Sequence, residues 1–330
     1  MKVFVFNCRR FDEEELFVRY AEEFGMELGF TEESPTMDNC NLVKGSDFVS
    51  IITTVITAKM MDRYKELGVR MICTRTIGYN HIDIGHARSI GMAVSHVTYS
   101  SDGVAEYTVM MMLAAVRKLK CIQERNPVDD FRLEGLMGRQ LCDLTVGIIG
   151  AGAIGKTVMR DLSGFGCKVL YYNRSPSPEA DRLGERVSLD ELLSASDVAS
   201  LHLEHNEATH HIIGARELSL MKRDSILVNT ARGPLVDTEA LLDALDRGAI
   251  GGAALDVIED EFGYYYNDCR GMDMSGHVME RLRSRPDVLL THHMAFYYDR
   301  AISDMVRNCF KSMMALYEGS EVPFRLALST

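Results

Sequence analysis

Two doubly wound, parallel-sheet α/β domains are what this sequence predicts, and three observations carry the prediction. The chain has 330 residues, more than one hydrophobic core usually organises. Apolar runs of strand length alternate with charged stretches of helical period in two separate series, one over residues 2–96 and one from Thr145 onward. Strands that alternate with helices imply a parallel sheet covered on both faces.

Composition narrows the class. With 46% hydrophobic and 25% charged residues and no low-complexity tract, the chain belongs among soluble globular proteins. A formal charge of −12 opposes a nucleic-acid partner and an anionic membrane surface, both of which call for a basic face. An anionic small molecule then needs a focused site built from an arginine, backbone N–H groups or a helix N-terminus. The eight cysteines form no C-x-x-C pair, so they read as reduced thiols of a cytoplasmic protein. The apolar start ends at Asn7, Cys8, Arg9 and Arg10. That is shorter than a signal-peptide core and is expected to be a first strand. No run of about 18 apolar residues points to a membrane span.

In the first series, strands are expected at 3–6, 48–52, 71–73 and 93–94, with a charged helix at 13–24. Tyr99, Ser100, Ser101 and Asp102 then supply N-cap side chains. The stretch 104–116 that follows is apolar on nearly every face and includes Met110, Met111 and Met112. Such a helix must be covered, between domains or between subunits, unless it is simply internal to one domain. Cover from a second copy makes a homodimer the expectation. The second series is expected as strand 146–149, helix 153–165, strand 168–172, helix 189–194 and strand 199–203. It continues with strand 226–228, helix 238–245 and strands 253–257 and 288–290. Residues 299–318 have helical period, and the tail beyond them looks irregular.

Gly150, Ala151, Gly152, Ala153, Ile154 and Gly155 match G-x-G-x-x-G, follow the strand 146–149 and open a helix with Ile154, Val158 and Leu162 on one face. The glycines permit the tight turn, the close approach of pyrophosphate and the helix–strand packing, and the helix N-terminus offers N–H groups to the anion. This is a dinucleotide-binding signature. About 20 residues on, where an NAD site usually carries Asp or Glu, the chain has Asn173, Arg174 and Ser175. A carboxylate would repel a 2′-phosphate, whereas Arg174 and Ser175 would bind one, so NADP joins NAD as candidate cofactor. A solvated strand end with an incidental arginine is the plainer reading.

Three more segments end strands at the edge where doubly wound sheets bind ligands. Asn229, Thr230, Ala231 and Arg232 offer an arginine, Asp256 to Glu261 offer carboxylates, and His292 and His293 offer imidazoles. Together they supply an anion clamp, a proton donor and a carboxylate to keep that donor protonated, which is what reduction of a keto acid needs.

At these residues the chain resembles a known family along nearly its whole length. The stretches are Thr74 to Asp83, Val104 to Thr108, the glycine motif, Asn229 to Asp237 and Gly252 to Glu261. They are similar to the D-isomer-specific 2-hydroxyacid dehydrogenases, and Tyr264, Tyr265, Tyr266, Asn267 and Asp268 resemble the D-lactate dehydrogenase branch. The resemblance implies a Rossmann nucleotide domain (99–295) inserted in a flavodoxin-like substrate domain (1–98 and 296–330), with a cleft between them. It implies reduction of a small 2-keto acid, pyruvate first, by NAD(P)H. Arg232 would bind the substrate carboxylate and carbonyl, His293 would be the acid-base residue and Glu261 its partner. Asp256 would hold the nicotinamide carboxamide. The backbone of Ile77 and Gly78 would bind the substrate carboxylate, and Tyr99 and Phe296 would reach the pocket. His202, Thr230 and Ala231 join the glycine motif and residues 173–175 as cofactor contacts.

The family usually has proline where this chain has Ser101, Glu204 and His292. The doublet leaves two imidazoles, and register with Ala295, Phe296 and Tyr297 favours His293. His202, His205, His210 and His211 match no standard zinc spacing, so no metal is expected. Two rivals stay open: bulkier keto acids such as phenylpyruvate or 2-ketoisocaproate, and a nucleotide-sensing corepressor-like protein with the same fold.

Overall fold

The computed structural model describes residues 1–327. In chain order the elements are β1 (Lys2–Val5), α1 (Glu14–Glu23), β2 (Glu27–Phe30), β3 (Phe48–Ile51), α2 (Ala58–Glu66), β4 (Met71–Thr74), α3 (Ile84–Ser89) and β5 (Ala93–Ser95). Then come α4 (Asp102–Val116), α5 (Leu119–Arg125), β6 (Thr145–Ile149), α6 (Ala153–Ser163), β7 (Lys168–Tyr172), β8 (Glu185–Arg186), α7 (Leu189–Ala195) and β9 (Val198–Leu201). The chain continues through α8 (Ala215–Leu220), β10 (Ile226–Asn229), α9 (Thr238–Asp246), β11 (Gly252–Leu255), α10 (Val278–Arg283), β12 (Val288–Leu290), α11 (Asp299–Glu318) and β13 (Arg325–Ala327). It divides into two compact units: Met1–Ser100 with the stretch that begins at Tyr297, and Ser101–Phe296.

The first unit carries a sheet in the order β13-β5-β4-β3-β1-β2. Without β13 this is the flavodoxin-like 2-1-3-4-5 arrangement of parallel strands. β1, β3, β4 and β5 are short and buried on both faces, as Val3, Val49, Ile72 and Val94 show, so they read as apolar runs without alternation. α11 packs on α1 through a stripe at three- and four-residue spacing (Ile302, Met305, Val306, Cys309, Phe310, Met313). The tail expected to be irregular instead returns as β13, antiparallel on β5 with Arg325 opposite Ser95. A three-residue edge strand carries no periodic signal; its hydrogen-bonding partner creates it. At the end of β4, Arg75 is fully buried and bonds Glu13 Oε1 (3.1 Å), Ser50 Oγ (3.0 Å) and the Phe6 carbonyl (3.1 Å). A buried guanidinium tied by several acceptors anchors the turn that leads to Ile77 and Gly78.

The second unit's sheet runs β12-β11-β10-β9-β6-β7-β8, which is the Rossmann order 3-2-1-4-5-6 with one further parallel strand at the edge. Local chemistry starts its helices. Asp237 caps α9 by accepting from the Ala240 N–H, and Ser188 with Glu191 forms a capping box at α7. The all-round apolar helix proves to be α4. Its Ala105, Val109, Met111, Met112 and Val116 enter the same core as Val146, Ile148, Val158, Met159, Leu162, Val228 and Ala254. Its own unit therefore covers most of it, and Met110 stays 48% exposed. Strands β9 and β11 each end two residues earlier than sequence periodicity suggests, because His202 and Asp256 already belong to ligand-side loops.

Candidate active site

Parallel register places one residue from each of six strands in a row. Tyr172 pairs with Ile149, Ile149 with Leu201, Leu201 with Asn229, Asn229 with Leu255, and Leu255 with Leu290. Every candidate of the second unit follows within six residues of this row: Asn173 to Ser175, Gly150 to Gly155, His202, Thr230 to Arg232, Asp256 to Glu261, and His293 and Phe296. They share one sheet edge, the carboxyl edge.

The glycine turn meets the demands of a dinucleotide. Gly150 has φ +103°, and a Cβ there would lie 2.6 Å from the His202 carbonyl oxygen. A Cβ on Gly155 would lie 2.0 Å from the Gly150 oxygen, so only glycine lets α6 sit on the turn. Gly152 has nothing within 4 Å of its missing Cβ. It opens the N-terminus of α6 to an approaching anion, with Ala153 exposed beside it and Ile154 half-buried behind. The residues present therefore fit the pyrophosphate of a nicotinamide dinucleotide.

At the end of β7, Asn173 does structural duty. Its Oδ1 accepts from the Ala151 N–H (3.2 Å) and its Nδ2 donates to the Ser175 carbonyl (2.9 Å). Arg174 and Ser175 are exposed. Sequence reasoning missed Arg186, which donates to the Asn173 carbonyl at 3.1 Å and brings a second guanidinium to this end. It arrives through the pairing of Tyr171 with Arg186, and a two-residue strand leaves no sequence pattern to find. Burial pushes the His202 imidazole down to about 3, so the ring is neutral and shares a hydrogen bond with Ser200 Oγ at 2.9 Å. Thr230 is buried with its hydroxyl 2.8 Å from Thr108 Oγ1 on α4, and Ala231 is half-buried.

Arg232 is half-buried and donates to the Ala231 carbonyl at 2.6 Å. Its loop is closed by Asn229, which accepts from the Ala231 N–H (3.0 Å) and donates to the Arg232 carbonyl (2.9 Å). The next residue, Gly233, lies so close to the neighbouring loop that a Cβ would sit 2.0 Å from the Ile258 oxygen. Glu259 ties the loops further by accepting from the Thr238 N–H (2.9 Å), the Thr238 hydroxyl (2.6 Å) and His211 Nε2 (2.7 Å). Burial works to raise the Glu259 carboxyl, but the Thr238 and His211 hydrogen bonds outweigh it and hold the group below its ordinary range. The Arg232 loop and the Asp256 to Glu261 loop thus form one braced structure.

Glu261 is almost fully buried. Its Oε2 accepts from the Ile258 N–H (3.2 Å), and its Oε1 lies 2.6 Å from His293 Nδ1. A carboxylate only accepts, so Nδ1 carries the proton and Nε2 is the nitrogen that can serve a ligand. His292 is exposed, with its ring 6.3 Å from that of Tyr265 and no bond to Glu261. Asp256 has no exposed surface. Where the sequence suggested a contact with nicotinamide, its carboxylate accepts from the Thr291 hydroxyl (2.6 Å) and the Met294 and Ala295 N–H groups (2.8 and 2.9 Å). Phe296 meets the His293 ring edge-on at 6.0 Å.

In the first unit, Ile77 and Gly78 follow β4 in a turn whose carbonyls are engaged by His96 Nδ1 (3.0 Å) and the Thr76 hydroxyl (2.5 Å). Among the described residues neither the Ile77 nor the Gly78 N–H has a backbone acceptor. Tyr99 packs edge-on against Tyr298 at 6.5 Å. The histidines of the loop after β9 gather, with His205 Nε2 3.2 Å from His210 Nδ1. Among the described residues no group of three His, Cys, Asp or Glu is arranged to hold a metal ion, and no helix is long and apolar enough to cross a membrane.

Residues 109–295 match the model of the NAD-binding domain of the D-isomer-specific 2-hydroxyacid dehydrogenases. A D-specific alpha-keto acid dehydrogenase of Enterococcus faecium is 40% identical over 311 residues, covering 94% of this chain and 95% of its own. An aromatic 2-oxoacid reductase of Clostridium sporogenes is 36% identical over 309 residues, covering 93% of each. Among solved structures, TP0037 of Treponema pallidum, described as a D-lactate dehydrogenase, superposes with a TM-score of 0.90 at 31% identity, over 99% of this chain and 100% of that one. Fold, glycine turn, sheet-edge residues and these similarities agree: the chain belongs to the D-isomer-specific 2-hydroxyacid dehydrogenases, an oxidoreductase family, and carries that family's NAD-binding domain.

Proposed function

We propose that this protein reduces a small 2-keto acid, pyruvate foremost, to the D-2-hydroxy acid. The observation that carries the reading is the His293–Glu261 pair at 2.6 Å, on the same sheet edge as Arg232 and the glycine turn. When bound, the reduced nicotinamide supplies the hydride. His293 Nε2 delivers a proton to the carbonyl oxygen as charge grows there, while Glu261 on Nδ1 fixes the tautomer and ring orientation. Arg232 presents a planar fork to the carboxylate. The family resemblance supports the Ile77 and Gly78 N–H groups and Tyr99 of the first unit, and Phe296 of the second, as further substrate contacts.

Asp256 is retained as a neighbour of the carboxamide, with its loop contacts as its first task. Thr230 and Ala231 contribute backbone at that edge, and His202 a neutral ring. The similarity to an aromatic 2-oxoacid reductase favours a second reading, a bulkier aromatic keto acid. Turnover compared across pyruvate, 2-ketoisocaproate and phenylpyruvate separates the two, the highest kcat/KM naming the substrate. No consumption of NADH or NADPH with any of the three is the outcome expected of a nucleotide-sensing binding protein. The eight free thiols support a cytoplasmic setting.

Arg174, Ser175 and Arg186 at the end of β7 support use of NADPH beside NADH. Arg174→Ala is expected to raise KM for NADPH about tenfold, the worth of one charge-assisted contact, and to leave KM for NADH nearly unchanged. Equal effects on both cofactors would make Arg174 an incidental surface residue.

A homodimer is the expected assembly. Val109, Met110, Leu113 and Ala114 of α4, with Leu119 and Phe165 and the charged Glu106, Arg117 and Asp161, line a mostly apolar groove of about 560 Å³, and Phe131, Leu133 and Met137 are exposed nearby in sequence. An exposed apolar groove supports the reading of an interface between copies of the chain. Sedimentation should give twice the mass of 37.0 kDa, and Met110→Glu should shift the protein toward the monomer. A wild-type monomer at micromolar concentration would refute the assembly.

A further inference from the structure

His293 occupies a backbone conformation that it does not hold unaided. Its φ is +57°, the left-handed region that histidine adopts only where surrounding groups impose it. On one side the His293 N–H donates to the Asp256 carbonyl at 2.7 Å, while the Asp256 carboxylate takes the next two N–H groups. On the other side the His293 carbonyl accepts from the Tyr266 hydroxyl at 2.8 Å.

Tyr266 is 58% exposed, so burial explains little of its presence, and its own φ is +67°. Its ring stands edge-on to Phe296 at 6.2 Å and lies 6.3 Å from that of His293. A left-handed aromatic residue that directs its hydroxyl to one left-handed histidine resembles a clamp more than a surface side chain.

The geometry points to Tyr266 as a positioning residue that acts through His293: its hydroxyl holds the peptide after His293, so that the imidazole tied to Glu261 presents Nε2 in one direction. Asp256 holds the same residue from its other side. The inference rests on His293 being the proton donor of the proposed reaction, because only then does its aim matter to the rate. Misplacement of a reacting group by about 1 Å can cost about a hundredfold.

The test removes one oxygen. Tyr266→Phe keeps the ring against Phe296 and is expected to lower kcat for keto-acid reduction about ten- to a hundredfold. KM for the keto acid and Kd for NADH should stay within about twofold. In a His293→Ala background the same substitution should do nothing further, since a positioning residue has no effect once the group it positions is gone. Wild-type kcat in Tyr266→Phe overturns the inference, as does an equal loss in both backgrounds, which would mean general damage. If His293→Ala itself retains wild-type turnover, the reading of His293 as proton donor fails. If it loses turnover and Tyr266→Phe does not, only the positioning role fails.

Discussion

His293→Ala is expected to lower kcat for keto-acid reduction at least about a hundredfold, while Kd for NADH stays near the wild-type value. A ketone oxygen that receives hydride density needs a proton at the moment of transfer, and a positioned general acid contributes ~10² to 10⁴ in rate. The glycine turn, Gly150 to Gly155, lies at a different strand end from His293 and keeps its geometry without the imidazole. His292→Ala is expected to change kcat by no more than a few-fold, because His292 is exposed and its ring meets Tyr265, not Glu261. Steady-state turnover with fluorescence titration of NADH checks both. A larger loss at His292 than at His293 would move the acid-base role to the other imidazole and undo the assignment of Glu261.

Arg232→Met is expected to lower kcat/KM about a thousandfold. Truncating one partner of a desolvated, hydrogen-bonded charge pair costs roughly 2–5 kcal/mol, and each 1.36 kcal/mol is about tenfold in rate. The loss should fall partly on KM, through the carboxylate, and partly on kcat, through orientation of the carbonyl. Arg232→Lys keeps a charge without the planar fork and should recover only part of the loss. Thermal stability should change little, since the loop is closed by Asn229, Gly233 and Glu259 and not by the guanidinium. Full activity in Arg232→Lys would show that a point charge suffices, and unchanged kcat/KM in Arg232→Met would remove Arg232 from substrate binding.

The second unit's architecture was legible where the signal is local. Gly150, Gly152 and Gly155 announce a strand–turn–helix because each answers a different steric demand within six residues, and the apolar runs 146–149, 199–203, 226–228, 253–257 and 288–290 announce strands. Arg232, the carboxylates of 256–261 and the His292–His293 doublet were nameable because each follows such a run by a short count, and parallel pairing puts all strand ends at one edge; Glu261 and His293 were singled out within their segments by the family resemblance. The first unit was less legible. β2 and β13 are short edge strands whose formation depends on the neighbour that hydrogen-bonds them; in the second unit α4, apolar all round, did not reveal what covers it.

By itself, then, the sequence determined which residue types stand at the carboxyl edge of a doubly wound sheet, because chain order and strand period already place them there, and the family resemblance of those stretches added the reaction class. Only the tertiary structure decided how they are held. The 2.6 Å pairing of Glu261 with His293 and not His292, the turning of Asp256 toward residues 291–295, the left-handed backbone of His293 and the Tyr266 hydroxyl on its carbonyl all join residues from different loops. The physical reason is that a side chain's aim depends on which neighbouring donors and acceptors desolvation forces it to satisfy. Those neighbours lie up to 39 residues away along the chain, beyond the reach of any local pattern.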